Sequence, residues 1–158
     1  MRATLVVIVA CAAMLAMTSC AAIPPLAGHP ADKASLVGRS LVSTSVVTDG
    51  NPIQLVPGAP WRRAGLGLEF YDASIAITGG CNWYSTQGTE GWDVVLGRLA
   101  ARGGIDGTII SCDDASDQQD HWIVDVLRSS PEVNIDGAQV VVRAGPTVIT
   151  FVDGQTDL

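Results

Sequence analysis

The stretch that decides the fold is residues 114–128, with the sequence DASDQQDHWIVDVLR. Its apolar residues recur at the spacing of one helix face, its charged residues fall largely elsewhere, and Pro131 ends the pattern. On both sides of it lie short runs of β-forming residues separated by Gly, Pro, Asn and Asp. The sequence therefore predicts an α+β fold: a strongly curved, mainly antiparallel β-sheet, forming a partial barrel, with one packed α-helix.

The predicted strands are short runs rich in β-branched and apolar residues. Residues 49–52, with the sequence DGNP, predict a turn, and residues 52–65, which carry three prolines, predict a loop. The strand candidates are residues 41–47, 66–71, 74–78, 92–96, 108–111, 139–143 and 147–152.

The N-terminal residues are typical of an export signal. Arg2 supplies a basic start, residues 5–17 are all apolar, and small residues follow around Ser19. This apolar run is shorter than the roughly 18 residues that span a bilayer. Residues 17–20, Met-Thr-Ser-Cys, resemble the lipobox of bacterial lipoproteins, which implies that the Cys20 thiol carries a diacylglyceryl group. An ordinary signal peptide with a chance cysteine is the alternative.

We therefore expect four segments along the chain. They are a lipoprotein signal peptide at 1–19, a tether containing Pro and Gly at 20–37, a folded domain at 38–153 and a C-terminal tail at 154–158. Anchoring by two or more acyl chains, palmitate among them, would be stable. The expected location is the cell membrane, with the lipid-anchored domain facing outward in a bacterial envelope.

The charge of the chain excludes one class of partner. There are 9 Lys and Arg residues against 16 Asp and Glu, a formal net charge of -7. Cleavage before Cys20 removes Arg2, and 8 - 16 leaves a net charge of -8. Binding to nucleic acid requires clustered basic residues that neutralise phosphates, and the sequence has no such cluster.

Two of the four cysteines remain for the folded domain. Cys11 lies in the predicted signal peptide and Cys20 in the lipobox, which leaves Cys81 and Cys112. Two thiols in an exported chain favour a disulfide, here closing a loop of about 32 residues. Two free buried cysteines, acting as small hydrophobic residues, are the alternative.

Two motifs carry a family resemblance. Residues 80–85, Gly-Cys-Asn-Trp-Tyr-Ser, and residues 108–112, which end in Cys before the helix, together resemble the META domain (HslJ-like) family of small bacterial envelope proteins. Residues 36–43 resemble the family's opening strand, and residues 140–151 its closing hairpin. The chain departs from the usual Trp, Gly, Met and Glu at Leu41, Thr86, Ile110 and Asp120. The family has no agreed enzymatic activity, so the resemblance implies a fold and a location.

No catalytic, metal or cofactor site is predicted, and we expect that the protein is not an enzyme. Residues 113–117 have the letters of the DDxxD motif that holds magnesium in isoprenoid synthases, but those enzymes are all-helical. The favoured interpretation is that these carboxylates stabilise a helix N-terminus, with Asp113 or Asp114 as N-cap. His121 has no Ser or Cys nucleophile in a recognisable elbow to act upon.

The aromatic residues offer a candidate binding surface. Trp83, Tyr84 and Trp92 follow one cysteine, and Trp122 lies on the helix that follows the other, so a disulfide would gather them. Packing in the core around the disulfide is the default interpretation. The alternative is an exposed binding ledge formed by Asn82, Trp83, Tyr84 and Trp92, suited to a sugar, a peptide or another envelope protein.

Two functions are compatible with these features. The first is a non-enzymatic, lipid-anchored envelope protein with a META-like domain, acting in stress tolerance or envelope integrity through contacts with an envelope protein. The alternative is a small binding module, such as an inhibitor of a wall-degrading hydrolase, whose acidity complements a basic enzyme. Exposure of Trp83 and Trp92 beside a concave surface would favour the binding module, and their burial would favour the first function.

Overall fold

The computed structural model describes residues 26–56, 65–89 and 91–155. The predicted signal peptide, Cys20 and the last three residues of the predicted tail lie outside the described residues. Within them the chain forms twelve strands and two helices. The strands are β1 (His29–Pro30), β2 (Ser40–Thr48), β3 (Asn51–Pro52), β4 (Gly67–Phe70), β5 (Ile75–Thr78), β6 (Trp83–Thr86), β7 (Trp92–Val95), β8 (Arg98–Ala101), β9 (Ile105–Gly107), β10 (Glu132–Asp136), β11 (Gln139–Ala144) and β12 (Thr147–Asp153), and the helices are α1 (Lys33–Leu36) and α2 (Asp114–Arg128).

The strands form one strongly curled antiparallel sheet, a half-barrel. Ten of them follow the order β7-β8-β10-β11-β12-β2-β4-β5-β6-β9, while β1 pairs with β10 and β3 with β2. Strand β2, near the start of the described chain, pairs with β12, near its end, so that Thr48 is opposite Thr147 and Leu41 is opposite Asp153. Strands β7 and β9 end this order. The predicted fold class, a strongly curved, mainly antiparallel sheet with one packed α-helix, is confirmed, and the four-residue helix α1 is an addition that the sequence did not predict.

The predicted turn after β2 is present. Asp49 and Gly50 have φ values of 52° and 77°, and Thr48 pairs with Asn51 on the other side of the turn. A two-residue hairpin turn with both central residues at positive φ matches the twist of the flanking strands, and Asp-Gly tolerates that conformation.

One predicted strand is wrong. Residues 108–111 form no strand, and β9 instead ends at Gly107, where it pairs with Tyr84. The backbone N–H of Ile110 donates to the side chain of Asn82, so a side chain replaces a neighbouring strand as the partner of this segment. Strands β1, β3, β6, β8, β9 and β10, each of two to five residues, were not predicted. In β10 the apolar residues alternate with Glu, Asn and Asp, which are residue types depleted in strands.

Helix α2 has the predicted bounds and closes the core. Its residues Ile123 and Leu127 are buried in the same hydrophobic cluster as the inward-facing residues of the sheet. Burying a side chain of this size stabilises the fold by roughly 1.5 to 3 kcal/mol. In the described part of the chain, neither helix has the length and apolar character needed to cross a membrane.

The chain packs on the domain before residue 38, within the segment predicted as a tether. Strand β1 pairs with β10, and the backbone N–H of Ala31 donates to the carbonyl of Val133 at 2.9 Å. Asp32 caps α1 through a bond from the backbone N–H of Ser35, and Leu36 is fully buried. Residues 29–36 therefore belong to the folded unit.

Candidate functional site

The turn at residues 79–82 lies directly against helix α2. A Cβ atom on Gly80 would stand 2.6 Å from the backbone oxygen of Ser116 and 2.7 Å from Oδ1 of Asp120. Real Cβ atoms do not approach oxygen so closely, so only glycine permits this contact between turn and helix. The position of this turn is thereby fixed relative to the helix.

A buried carboxylate binds the turn to the helix. Oδ2 of Asp120 accepts hydrogen bonds from the backbone N–H groups of Cys81 at 3.0 Å and Asn82 at 2.8 Å, and from Nδ2 of Asn82 at 3.2 Å. Asp120 has no exposed surface, and its Oδ1 has no hydrogen-bond partner within the described chain. Such a carboxylate satisfies donors that would otherwise be buried unpaired, so its role is structural.

Gln119, the residue before Asp120 on the helix, extends the same network. Its Nε2 donates to the carbonyl of Gly79 and, at 3.2 Å, to that of Val56, while its Oε1 accepts from the backbone N–H of Val56 at 2.7 Å. Successive side chains of α2 therefore hold both the turn and the segment that follows β3.

The side chain of Asn82 holds the segment 108–112. Its Oδ1 accepts from the hydroxyl of Thr108 at 3.0 Å and from the backbone N–H of Ile110 at 2.7 Å, and its Nδ2 donates to the carbonyl of Ile110 at 3.4 Å. The backbone N–H of Thr108 also donates to the carbonyl of Trp83 at 2.9 Å. One buried amide side chain thus replaces a strand as the partner of this loop.

A disulfide closes the same loop at its far end. Cys81 and Cys112 are bonded, with their Cα atoms 6.3 Å apart, as the sequence predicted. Cys81 is buried. Residues 108–112 are therefore held at Thr108, at Ile110 and at Cys112.

The held loop displays apolar side chains. Ile109 is fully exposed, and the relative exposures of Ile110 and Trp83 are both 45%. The backbone N–H of Ile110 donates to the side chain of Asn82, and the backbone N–H of Trp83 donates to the hydroxyl of Thr108. The two segments that carry these three apolar side chains are therefore adjacent. We call Trp83, Ile109 and Ile110 the apolar loop patch. The sequence did not identify Ile109 as an exposed residue, because it predicted that residues 108–111 form a strand of the sheet and not an exposed loop.

The structure separates the four residues of the predicted binding ledge. Asn82 and Trp92 are buried, while Trp83 is exposed and Tyr84 is half-buried. Trp92 packs in the core edge-on to Phe70, with ring centres 5.1 Å apart, and its Nε1 donates to the carbonyl of Tyr71 at 2.8 Å. Trp92 therefore belongs to the core and not to an exposed surface with Trp83.

Trp122 lines a different cleft from Trp83. It lines a second cleft, together with Ile53 and Leu55 from the segment after β3. The disulfide consequently does not gather the tryptophans at one place.

A groove lies beside the apolar loop patch, across β5, β6 and β9. Its volume is about 410 Å³, and it is lined in part by Ala76, Trp83, Tyr84, Ser85 and Asp106. Strand register places Ala76 opposite Ser85 and Ser85 opposite Asp106. We call it the β6–β9 groove. Its polar residues Ser85, Gln87 and Asp106 had no motif that could have identified them in the sequence.

Titrating groups near this region have shifted pKa values. Hydrogen bonds from the backbone and side chain of Ser116, and from the backbone of Ala115, lower the pKa of Asp113, the N-cap of α2. Burial, followed by the charges of Asp120 and Asp117, raises the pKa of the Tyr84 hydroxyl. Asp113 therefore has the capping role that the sequence predicted. Among residues 26–56, 65–89 and 91–155, no three His, Cys, Asp or Glu side chains are placed to hold a metal ion.

Comparisons with known proteins agree with this architecture. A protein whose structure was solved by NMR has 20% sequence identity to this chain and a TM-score of 0.52, over 76% of this chain and 92% of that chain. At this identity the likeness shows the fold alone. No curated protein sequence matches the chain. Residues 34–155 match the family model of the META domain, from helix α1 to the end of the sheet, and the chain therefore belongs to the META domain family.

Proposed function

We propose that this protein is a non-enzymatic, lipid-anchored protein of the bacterial envelope that acts through protein contacts, in stress tolerance or envelope integrity. The observation that supports the proposal is the loop 108–112, which is held at three positions while Ile109 stays fully exposed. The lipobox at residues 17–20 supports the lipid anchor.

An exposed isoleucine on a restrained loop contributes to binding more than to folding. Its burial in the fold would have been favourable, and it is instead left in contact with solvent. Holding the loop in one conformation removes much of the entropy that a partner would otherwise have to offset on binding. Trp83 beside it is of a residue type enriched at the energetic centres of interfaces. The apolar loop patch is therefore the surface that we expect a protein partner to contact.

The test is a capture from intact envelopes with the full-length lipidated protein. We compare the wild type with Ile109→Ser, and we use Leu96→Ser as the matched control, since Leu96 is 95% exposed at the turn between β7 and β8. The expected result is one or more envelope proteins that co-purify with the wild type and the control and are lost with Ile109→Ser. Equal capture by all three would refute a role for the patch.

The anchor is tested separately. Replacing Cys20 with Ala removes the thiol that would be acylated, so the variant should leave the membrane fraction. Retention of Cys20→Ala in that fraction would contradict the lipid anchor while leaving the contact surface untouched.

In the alternative function, an inhibitor of a wall-degrading hydrolase, the same loop would bind the enzyme. A rigid, exposed loop on an acidic domain is suited to the active-site cleft of a basic enzyme. The purified domain at micromolar excess should then reduce the activity of lysozyme-type enzymes, and Ile109→Ser should restore it. Unchanged enzyme activity with the wild type would exclude this alternative.

A further inference from the structure

The β6–β9 groove owes its shape to small side chains on neighbouring strands. Ala76, Ser85 and Asp106 lie in register across β5, β6 and β9, and Trp83 lies two residues before Ser85 on β6. Trp83 and Ser85 are two residues apart on β6 and share one face, while the ring of Tyr84 lies on the opposite face against the core, so Trp83 is the aromatic side chain that borders the depression.

The size of the groove favours a small ligand. Its volume of about 410 Å³ falls within the roughly 300 to 1,000 Å³ of typical small-molecule sites. A protein partner of standard size would need roughly 800 Å² of surface on each side. The groove alone therefore suits a ligand of one or a few ring units, which would leave Ile109 and Ile110 of the apolar loop patch exposed.

The polar groups of the groove have unused hydrogen-bonding capacity. The carboxylate of Asp106 has no side-chain hydrogen bond or ion pair among the described residues. Gln87 donates from Nε2 to the hydroxyl of Ser85 at 3.1 Å, which leaves the carbonyl oxygen of Gln87 and the proton of that hydroxyl available. An acceptor carboxylate, an acceptor carbonyl and a donor hydroxyl can together bind the hydroxyl groups of a polyol.

The charge of the groove selects against anions. Within the described part of the chain, no lysine or arginine lines the groove, and Asp106 gives the groove a negative charge. A phosphate or a uronic acid would therefore meet an uncompensated carboxylate, whereas a neutral sugar would not, and an amino sugar would be attracted.

From these features we propose that the β6–β9 groove binds a neutral or amino saccharide unit. The indole of Trp83 stacks on the C–H face of the sugar ring, because the negative face of an aromatic ring attracts polarised hydrogens. Ser85, Gln87 and Asp106 bind the sugar hydroxyl groups, and Asp106 also pairs with an ammonium group where the sugar has one. This goes beyond the proposed function, since only Trp83 is shared with the apolar loop patch.

The experiment measures binding of three tetrasaccharides to the full-length protein in detergent by isothermal titration calorimetry. The probes are tetramers of N-acetylglucosamine (neutral), glucosamine (cationic) and galacturonic acid (anionic). We expect the first two to bind and the third to bind at least tenfold more weakly. Preferred binding of the galacturonic acid tetramer, or no binding of the other two, would overturn the proposal.

Variants distinguish this site from the protein-contact surface. Trp83→Ala should weaken binding of the neutral tetramer at least tenfold, and Gln87→Ala about fivefold, equivalent to one hydrogen bond. Asp106→Asn should reduce the preference for the cationic over the neutral tetramer about fivefold. Thermal unfolding checks that each variant is folded.

Ile109→Ser and Leu96→Ser should leave saccharide binding unchanged, although Ile109→Ser abolishes capture of a protein partner. Loss of saccharide binding in Ile109→Ser, or unchanged binding in both Gln87→Ala and Asp106→Asn, would refute the assignment to this groove. A failure of the protein capture with intact saccharide binding would refute only the proposed function.

Discussion

Replacing Asp120 with Ala tests whether a single carboxylate holds the turn at residues 79–82 against helix α2. The change removes the acceptor for two backbone N–H groups and one amide N–H, all buried. A buried donor left without a partner costs about 1 to 3 kcal/mol. Water that enters the vacated space would pair with some of these three donors and reduce the cost. We therefore expect the free energy of unfolding to fall by roughly 3 to 5 kcal/mol. That is a large share of the roughly 5 to 15 kcal/mol of a typical domain.

The matched variant is Asp120→Asn, which keeps one acceptor oxygen at nearly the same place. Neutral hydrogen bonds are about half as strong as those to a carboxylate, so the expected loss is roughly 1 to 2 kcal/mol. Burial of an amide also costs less than burial of a charge, which lowers the loss further. The order of stability should be wild type, then Asn, then Ala.

The assay is urea unfolding followed by tryptophan fluorescence, with the disulfide intact, on the chain from residue 21 onward. With a slope of about 2 kcal/mol per M, the midpoint of Asp120→Ala should lie about 2 M below that of the wild type. A midpoint within about 0.3 M of the wild type would show that the carboxylate does not hold the turn. Equal loss in the Asn and Ala variants would show that its charge matters and its geometry does not.

Three further changes test neighbouring features. Gly80→Ala should lower the free energy of unfolding by about 1 to 3 kcal/mol, because its Cβ collides with the helix; an unchanged urea midpoint would contradict the close contact. Replacing Cys81 and Cys112 with Ser should cost roughly 3 to 4 kcal/mol by the chain-entropy model, and neither Cys81 nor Cys112 should react with a thiol reagent until the protein is reduced. The Asp113 carboxylate has a lowered pKa, so its stabilising effect is present above about pH 4 and is lost as the pH falls through the folded-state pKa. The difference between the urea midpoints of Asp113→Ala and wild type should therefore be full at pH 7 and should shrink as the pH falls below about 4.

Local signals in the sequence were sufficient for helix α2. Its apolar period, its acidic N-terminus and Pro131 coincide, and the structure adds only that Asp113 is the cap. The hairpin between β2 and β3 was predictable for the same reason, since the conformation of Asp49-Gly50 is decided by those residues themselves. Where neighbours in sequence determine the conformation, the sequence predicts it well.

Long-range contacts decided the features that the sequence did not predict. The residues Thr108, Ile109 and Ile110 have a strong strand propensity, yet hydrogen bonds from Asn82 and a disulfide hold them as a loop. Trp83 and Trp92 are chemically identical, and only the sheet register buries one and exposes the other. Neither outcome could be read from composition or spacing.

The early start of the folded unit restricts where the domain could lie if Cys20 is acylated. Only residues 21–28 separate that cysteine from β1, and eight residues reach at most about 29 Å when fully extended. If the chain were extended up to residue 37, as the sequence predicted, the domain could lie about twice as far from Cys20. Lipid anchoring would therefore keep the strand pair β1 and β10 close to the bilayer.

The residues that carry the family resemblance are used inside the domain. Cys81 is in the disulfide, the side chain of Asn82 holds the loop, and Gly80 lets the turn lie against the helix. Membership of the family therefore accounts for a scaffold that presents a rigid loop, and function depends on what the scaffold displays. Trp83 and Ile109 are displayed from within the two motifs, whereas Gln87 and Asp106 in the groove lie outside both motifs. Two members that share the motif could thus bind different partners without any change in the residues that identify them as relatives.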